Sequence, residues 1–188
     1  MTARLPNGTF TYDFTQTTNR ECGDCQTCCR IMPVEEINKP ANQRCQHQKS
    51  GLGCKIYPKR PMSCRIWSCM WLRGEGTNDL PRPDRSHYVI DSFPDTIFLS
   101  TTTPKGHEKI PMVCVQVWVD PRYPDAWDEP RLKKYLDGRG MPVIIRYGND
   151  TGFVLFPPSV VGRDEWVRHE STPQPRSFEF DKHLLTEC

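Results

Sequence analysis

The chain has 188 residues, of which 36% are hydrophobic, so it can build one modest core although its apolar share is below the usual 45–50%. A formal charge of only +2, from 25 basic and 23 acidic residues, indicates no obligatory polyanion, and we do not expect a nucleic-acid partner. No stretch approaches the ~20 apolar residues of a membrane span, and the start of the chain lacks an apolar signal segment, which predicts a cytoplasmic protein with reduced thiols and no membrane partner.

The distribution of cysteine, proline and β-branched residues divides the chain into five predicted parts. In order, these are an extended polar arm (1–20), a cysteine-cluster metal-binding module (21–73), a linker loop (74–86), an α+β part with an antiparallel sheet (87–170) and a loose tail (171–188). The predicted fold class is therefore α+β, with a metal-stapled N-terminal module of short helices followed by a small antiparallel sheet and one packed helix.

Two helical segments are predicted inside the cysteine module. Residues 21–30 read as helical or turn-like, and a helical stretch would place Cys22, Cys25 and Cys29 on one face by their i, i+3, i+7 spacing. A second helix is predicted over residues 62–72, because Pro61 suits the first turn of a helix and the glycines that follow are typical terminators.

The second half of the chain has the patterns of strands. Residues 87–91 and 96–100 are rich in β-formers and are predicted to form a hairpin, and the alternating valines of residues 110–119 predict a half-buried strand. An amphipathic helix is expected over residues 127–138. Residues 142–147 and 152–156 then predict a further hairpin through the turn Gly-Asn-Asp-Thr.

Eight of the ten cysteines lie between residues 22 and 69, and this clustering is the clearest chemical feature of the sequence. Closely spaced thiolates allow a short turn to present several soft ligands to one ion, and more distant cysteines complete the coordination. The predicted metal ligands are Cys22, Cys25, Cys28, Cys29, Cys45, Cys54, Cys64 and Cys69. His47, two residues after Cys45, is an alternative ligand.

Other uses of these cysteines remain open at this stage. Disulfides would need an oxidising compartment, and adjacent Cys28 and Cys29 are poor partners for each other. Buried apolar cysteines without a ligand are a second alternative, and this role is the expected one for Cys114, which lies in the valine-rich strand. A terminal Cys188 is expected to be free.

The charge of the cysteine window also bears on its use. Ten basic residues lie between positions 20 and 73 against four acidic ones, a formal charge of +6 before thiolates are counted. Anionic metal–thiolate centres would offset this charge, and guanidinium or N–H donors beside sulfur would tune them. A nucleic-acid patch explains the charge less well because the window contains no long basic run.

The two halves of the cysteine window resemble a known family. The run Cys22-Gly-Asp-Cys-Gln-Thr-Cys-Cys29, together with Cys54, Tyr57, Arg60, Pro61, Cys64, Arg65 and Cys69 in the pattern C-x-x-Y-x-x-RP-x-x-CR-x-x-x-C, is similar to the CxxCxxCC family of zinc- or iron-chelating domains (YkgJ-like cysteine-cluster proteins). The resemblance covers residues 20–73 and implies metal chelation by these cysteines, with Cys45 in the variable middle. Related clusters in flagellin lysine methylases resemble iron–sulfur ligand sets.

The sequence thus predicts a cytoplasmic metal-binding protein in which the cysteines hold one or two zinc ions in a structural role. The α+β part would offer a surface to a protein partner. An iron–sulfur protein with a [4Fe–4S] cluster and a redox or modifying role is the alternative, and metal storage or delivery is a further one. A binding protein is favoured over an enzyme, since no phosphate loop, nucleophile elbow or HExxH motif is present.

Overall fold

The computed structural model describes residues 3–4, 10–11, 19–74, 76–92, 95–103, 106–170 and 178–181. Its N-terminal elements are short: strands β1 (Ala3–Arg4) and β2 (Phe10–Thr11), helix α1 (Thr27–Ile31), strands β3 (Gln48–Lys49) and β4 (Gly53–Cys54), and helices α2 (Met62–Ile66), α3 (Met70–Arg73) and α4 (Pro83–Ser86). Single 3₁₀ turns occupy Glu35–Ile37 and Tyr57–Lys59.

The C-terminal elements are longer and build one sheet. They are β5 (Tyr88–Ile90), β6 (Asp95–Thr103), β7 (Gly106–Val119), α5 (Pro130–Arg139), β8 (Val143–Arg146), β9 (Gly152–Phe156), α6 (Pro158–Val161), β10 (Val167–His169) and β11 (Phe178–Asp181). The sheet has the order β10-β9-β8-β7-β6-β11, and β5 also pairs with β7. The predicted α+β class is therefore confirmed.

The sheet is mixed, whereas an antiparallel sheet was predicted. β8 runs parallel to β7, with Val143 opposite Val115, and β11 runs parallel to β6. The cause of the first parallel pair is α5, which lies between β7 and β8 in sequence and returns the chain to its starting side. A crossover of this kind aligns the two strands in the same direction. A smaller antiparallel sheet is formed by the hairpin β3–β4.

The hairpin predicted between residues 87–91 and 96–100 does not form. Both strands are present, but β5 pairs with the end of β7 and β6 pairs with its first part, each antiparallel. The 14-residue β7 is long enough to accept the two strands one after the other. By contrast, the hairpin β8–β9 through residues 148–151 is confirmed, with Arg146 opposite Gly152.

The sheet buries side chains on both faces. On one face, Leu132 and Leu136 of α5 pack with Val117, Val143 and Ile145. The opposite face buries Ile97, Leu99, Cys114, Ile144, Val154, Phe156 and Val161. Strand β8 reads as a continuous apolar run because its alternate residues enter two different cores. Cys114 is fully buried, as predicted.

The single helix predicted over residues 62–72 is two helices. Trp67 takes an extended conformation (φ −94°, ψ 141°) and ends α2, and Cys69 caps the start of α3. The break brings the indole nitrogen of Trp67 within 2.7 Å of the Asp91 carboxylate, to which it donates a hydrogen bond. Tertiary contact with the sheet thus overrides the local helical pattern.

The cysteine module lies against the sheet through a third, small apolar cluster. Ile31, Val89 and Trp118 are its buried members, and Cys28, Met32, Ala41, Trp67 and Cys69 pack around them. An ion pair joins Arg30 of α1 to Asp120, which follows β7. The module and the sheet therefore share an interface that contains two of the eight clustered cysteines.

Two predicted segments are described only in part. Within the tail predicted as loose, residues 178–181 form β11, and within the N-terminal arm β1 pairs with β2. The remaining residues of both segments, including Cys188, lie outside the described residues. Among the described residues, no helix is long and apolar enough to span a membrane.

Candidate metal centre

Six short pieces of chain carry the eight clustered cysteines. Cys22 and Cys25 flank a turn closed by the hydrogen bond from the Cys25 N–H to the Cys22 carbonyl (2.8 Å), and α1 carries Cys28 and Cys29. Cys45 lies in a loop, and the last three are Cys54 on β4, Cys64 on α2 and Cys69 at the start of α3. The face predicted for Cys22, Cys25 and Cys29 is not formed because α1 begins only at Thr27.

Backbone contacts bring these pieces together. The Cys45 N–H donates to the Cys29 carbonyl (3.1 Å), so the middle loop lies on α1. The hairpin β3–β4 lies on the Cys22–Cys25 turn: a side chain at Gly53 would meet the carbonyl of Gly23 at 3.1 Å. Gly53 has φ +84° as well, so both its conformation and this close approach favour glycine.

Glu36 orients the helix that carries Cys64. Its carboxylate accepts hydrogen bonds from the backbone N–H groups of Met62 (3.0 Å) and Ser63 (2.7 Å), and from the Ser63 hydroxyl. These are the first N–H groups of α2, which have no partner within the helix. The bonds from Ser63, followed by that from Met62, lower the pKa of Glu36.

Burial is the main influence on the pKa of four of the clustered thiols. It raises the pKa of Cys22, Cys25 and Cys64, and nearby cysteines add to the effect at Cys22 and Cys64. At Cys69, burial raises the pKa to about 12, with Cys22 and Cys25 contributing in the same direction. Without a cation, these groups are held as neutral thiols at pH 7.

Cys28 and Cys29, adjacent residues of α1, form a hydrogen-bonded pair. The bond to Cys29 raises the pKa of Cys28, and burial together with Cys29, Cys69 and Cys22 raises it further. The same bond lowers the pKa of Cys29 to about 7, helped by the charges of Lys39 and Arg60. A thiolate is therefore easiest to form at Cys29, beside its neutral neighbour.

Lys39 is a buried cation among the cysteines. Only 7% of the residue is exposed, and its ammonium donates to the carbonyl oxygens of Arg30 (3.3 Å), Met32 and Pro40 (3.1 Å). Burial lowers the pKa of Lys39, and Cys45, Cys29, Cys28 and Cys64 act in the opposite direction. A buried ammonium is costly unless anions neutralise it, and these four cysteines would supply negative charge beside it once they ionise.

Two arginines add positive charge on other sides of the cluster. The Arg60 guanidinium stacks over the Tyr57 ring at 3.7 Å. Its positive charge acts to lower the pKa of the Cys22, Cys29 and Cys64 thiols. The charge of Arg82 also acts to lower the pKa of Cys22. The Arg82 side chain is held by ion pairs to Asp24 (2.8 Å) and Asp84 (2.7 Å). The Nε of Arg60 is buried and makes no hydrogen bond.

The donor set fits a thiophilic cation. All nine described cysteines carry free thiols, and eight of them are half-buried in this module with basic side chains around them. In the part of the chain that the structure describes, no three His, Cys, Asp or Glu side chains are arranged to hold a metal ion together. Metal coordination by the predicted ligands therefore requires their side chains to turn toward a shared ion.

The sequence pattern indicates the cysteines, but it does not reveal two residues that support them, Lys39 and Glu36. Lys39 was one basic residue among ten, and nothing in the local pattern showed that it is buried. Glu36 was one acid among four, although an acidic side chain far from a helix start in sequence can still cap it. His47 is half-buried in the loop before β3, where its carbonyl accepts from the Lys55 N–H (2.8 Å).

Comparisons with models of protein families, with curated proteins and with solved structures gave no match.

Proposed function

We propose that this protein binds metal through its cysteine module, with the clustered thiolates holding one or two zinc ions in a structural role. The observation that carries the proposal is how little apolar core the module has. Between residues 21 and 73, all of which the structure describes, Ile31 and Met70 are the only buried hydrophobic side chains. The longest helices of this segment, α1 and α2, have five residues each.

Such a segment cannot be held by burial and local structure alone. Helices of five residues are far below the ~12–15 residues at which isolated helices become even marginal in water. Each of the two buried side chains contributes roughly 1.5–3 kcal/mol, whereas ordering each residue of the module costs about 1–2 kcal/mol. Small modules of this kind are usually held by disulfides or metal. The described cysteines form no disulfides, so metal is the proposed cross-link of the module.

The chemistry of the thiols supports the same proposal. Clustered thiols with raised pKa values resist ionisation because each thiolate would be buried beside others. A divalent cation supplies the missing positive charge and makes ionisation favourable. When bound, zinc contributes four strong metal–sulfur bonds in a closed tetrahedral arrangement. Lys39, Arg60 and Arg82 would then balance the remaining negative charge.

Several further features belong to this proposal. The resemblance to the CxxCxxCC domains supports chelation without deciding between zinc and an iron–sulfur cluster. We place the protein in the cytoplasm, where reduced thiols are available to metal. The α+β part would serve as a surface for a protein partner, and the module would act as a binding element rather than an enzyme.

Elemental analysis and an optical spectrum of anaerobically purified full-length protein test the proposal. We expect stoichiometric zinc, no iron and no visible absorption, and chelation should reduce the helical circular dichroism and change the tryptophan fluorescence. Cys114→Ser is the matched control, since this cysteine is buried in the sheet and should leave the metal content unchanged. A brown, iron-containing protein would replace zinc by an iron–sulfur cluster, and unchanged helicity after complete metal removal would refute the structural role.

A further inference from the structure

One helix of the cysteine module leaves its apolar side chains in solvent. α2 has no buried residue, and Met62 is 53% exposed and Ile66 48% exposed. These two residues are four apart in the helix and therefore lie side by side on one face. Cys64, midway between them, points to the opposite side and is half-buried in the module. Met62 and Ile66 belong to none of the three apolar clusters of the described residues.

The turn before α2 adds an aromatic ring to this exposed surface. Tyr57 is 50% exposed, and the Arg60 guanidinium stacks over its ring at 3.7 Å. A guanidinium nitrogen of Arg65 contacts the Met62 sulfur at 3.6 Å. Exposed apolar side chains that occur singly need no explanation, whereas a cluster of them edged by polar groups marks an interaction site. Residues 57–66, the α2 segment, form such a cluster.

Positive charge accompanies the α2 segment. Residues 37–74 contain eight Lys or Arg and no Asp or Glu. Among the described residues, Lys55, Lys59 and Arg65 are exposed and make no ion pair with a carboxylate. Glu36 contacts the start of α2, but its carboxylate is already bound by the first N–H groups of that helix. Exposed apolar groups and unpaired cations therefore lie within one short stretch of chain.

We propose that the α2 segment is a docking surface for an acidic segment of another protein that carries apolar side chains. The apolar side chains would pack on Tyr57, Met62 and Ile66, and the Asp or Glu residues beside them would pair with Arg65 and the neighbouring lysines. Tyr, Met and Arg are enriched in protein interfaces, and the flexible thioether of methionine adapts to the shape of a partner. This surface is additional to the one proposed for the α+β part.

The form of the α2 segment favours a protein partner over a lipid bilayer or a nucleic acid. Helices that lie in a membrane interface bury a continuous apolar face, whereas α2 has only five residues. Nucleic acids are bound by basic patches that follow the phosphates, whereas here apolar side chains separate the cations. An arginine such as Arg65 offers a planar fork of N–H donors that matches a carboxylate.

Selection from a displayed library of random peptides tests the proposal without assuming a partner sequence. The target is the full-length protein as purified, and peptides that also bind a variant with Met62→Ser and Ile66→Ser are removed. We expect the remaining peptides to be enriched in Asp and Glu around apolar residues. The peptide that binds most strongly is then synthesised with a fluorescent label, and its affinity, measured by anisotropy, should fall as the salt concentration rises.

Matched substitutions locate the binding on the α2 segment. Met62→Ser with Ile66→Ser should weaken binding of the labelled peptide about tenfold or more. Its control is Val113→Ser, at a residue of β7 that is 52% exposed, which should leave the affinity unchanged. Lys59→Glu should weaken binding about threefold or more, whereas Lys134→Glu, at an exposed lysine of α5, should not. Zinc content and circular dichroism are measured on every variant and should match wild type.

Each other outcome would overturn the docking surface. Selection that yields no peptides, or only neutral or basic ones, would do so, as would equal affinity of wild type and the doubly substituted variant. Tighter binding of wild type to anionic phosphatidylserine vesicles or to a single-stranded oligonucleotide would assign the surface to lipid or nucleic acid. Loss of peptide binding only together with loss of zinc or of the circular dichroism signal would make the segment structural. Wild-type protein without metal would instead overturn the proposed function and leave the peptide test in force.

Discussion

Replacing Asp120 by asparagine should release part of the attachment between the cysteine module and the sheet. The side chain is 3% exposed and accepts hydrogen bonds from Arg30 (2.5 Å) and from the Arg122 guanidinium (2.9 and 3.1 Å). Asparagine preserves the volume but removes the charge, so both arginines lose their anion.

The magnitude follows from how exposed the two partners are. Breaking a fully buried ion pair costs about 3–5 kcal/mol, but exposed pairs contribute only about 0–1 kcal/mol. Arg122 is 61% exposed and can be solvated, whereas Arg30 is 34% exposed. We therefore expect Asp120→Asn to lower the free energy of unfolding by about 2 kcal/mol, which corresponds to a Tm lower by about 4–8 °C for a chain of this size.

Urea denaturation at pH 7 with excess zinc measures this loss. Asp128→Asn is the matched control, because Asp128 pairs with Lys133 at 2.5 Å but both side chains are half exposed, and we expect its effect to stay below about 0.5 kcal/mol. Equal effects of the two substitutions would refute the reasoning. A double-mutant cycle gives a second test. If Asp120→Asn lowers the free energy of unfolding by the same amount in an Arg30→Gln background, the Arg30–Asp120 pair carries no coupling energy and the reasoning is refuted.

The pH dependence gives a second reading of the same contact. Burial alone would raise the pKa of Asp120, but the hydrogen bonds from Arg122 and the charges of Arg30 and Arg122 lower it overall. A lowered carboxyl pKa stabilises the fold above the unfolded value, about 3.9, and this stabilisation is lost as the pH falls through the folded value. The difference between wild type and Asp120→Asn should thus be full at pH 7 and shrink below about pH 4.

Three further substitutions probe the core, the buried thiol and the helix cap. Ile31→Ala should lower the free energy of unfolding by about 2–4 kcal/mol in urea denaturation, because Ile31 is 1% exposed. The control Ile66→Ala, at a residue 48% exposed, should lower it by less than about 1 kcal/mol, and equal losses would contradict the assigned burial. Cys114→Ala should cost about 1 kcal/mol in the same assay and leave zinc content unchanged, and a lost ion would contradict its place in the sheet core. Glu36→Gln should weaken zinc binding a few-fold in chelator competition, because the Glu36 carboxylate accepts from the first N–H groups of α2, the helix that carries Cys64. The control Glu35→Gln should leave the affinity unchanged, and equal affinities of the two variants would contradict this capping role.

Local patterns sufficed where neighbours in sequence are neighbours in space. The hairpin β8–β9 was predicted because its strands flank a four-residue turn, and the helix of residues 127–138 was predicted from its periodicity, although it begins later, at Pro130. Glu129 caps that helix by accepting from the Leu132 N–H (3.0 Å). Strand character was also evident in β5, β6 and β7.

Long-range pairing was beyond local patterns. Nothing within residues 87–100 shows that β5 and β6 both pair with β7 instead of with each other. The break at Trp67 depends on Asp91, and the burial of Lys39 depends on carbonyl groups of α1 and its C-terminal loop. In the cysteine cluster, spacing indicated which residues are the candidate ligands, whereas the contacts that bring them together, such as that from Cys45 to the Cys29 carbonyl, join segments that are distant in sequence.

Zinc and iron content of anaerobically purified full-length protein tests the central claim most directly. We expect one or two zinc ions per chain, no iron, and the same content in Cys114→Ser. Protein that contains neither metal, but keeps its circular dichroism spectrum in the presence of a strong chelator, would contradict the account.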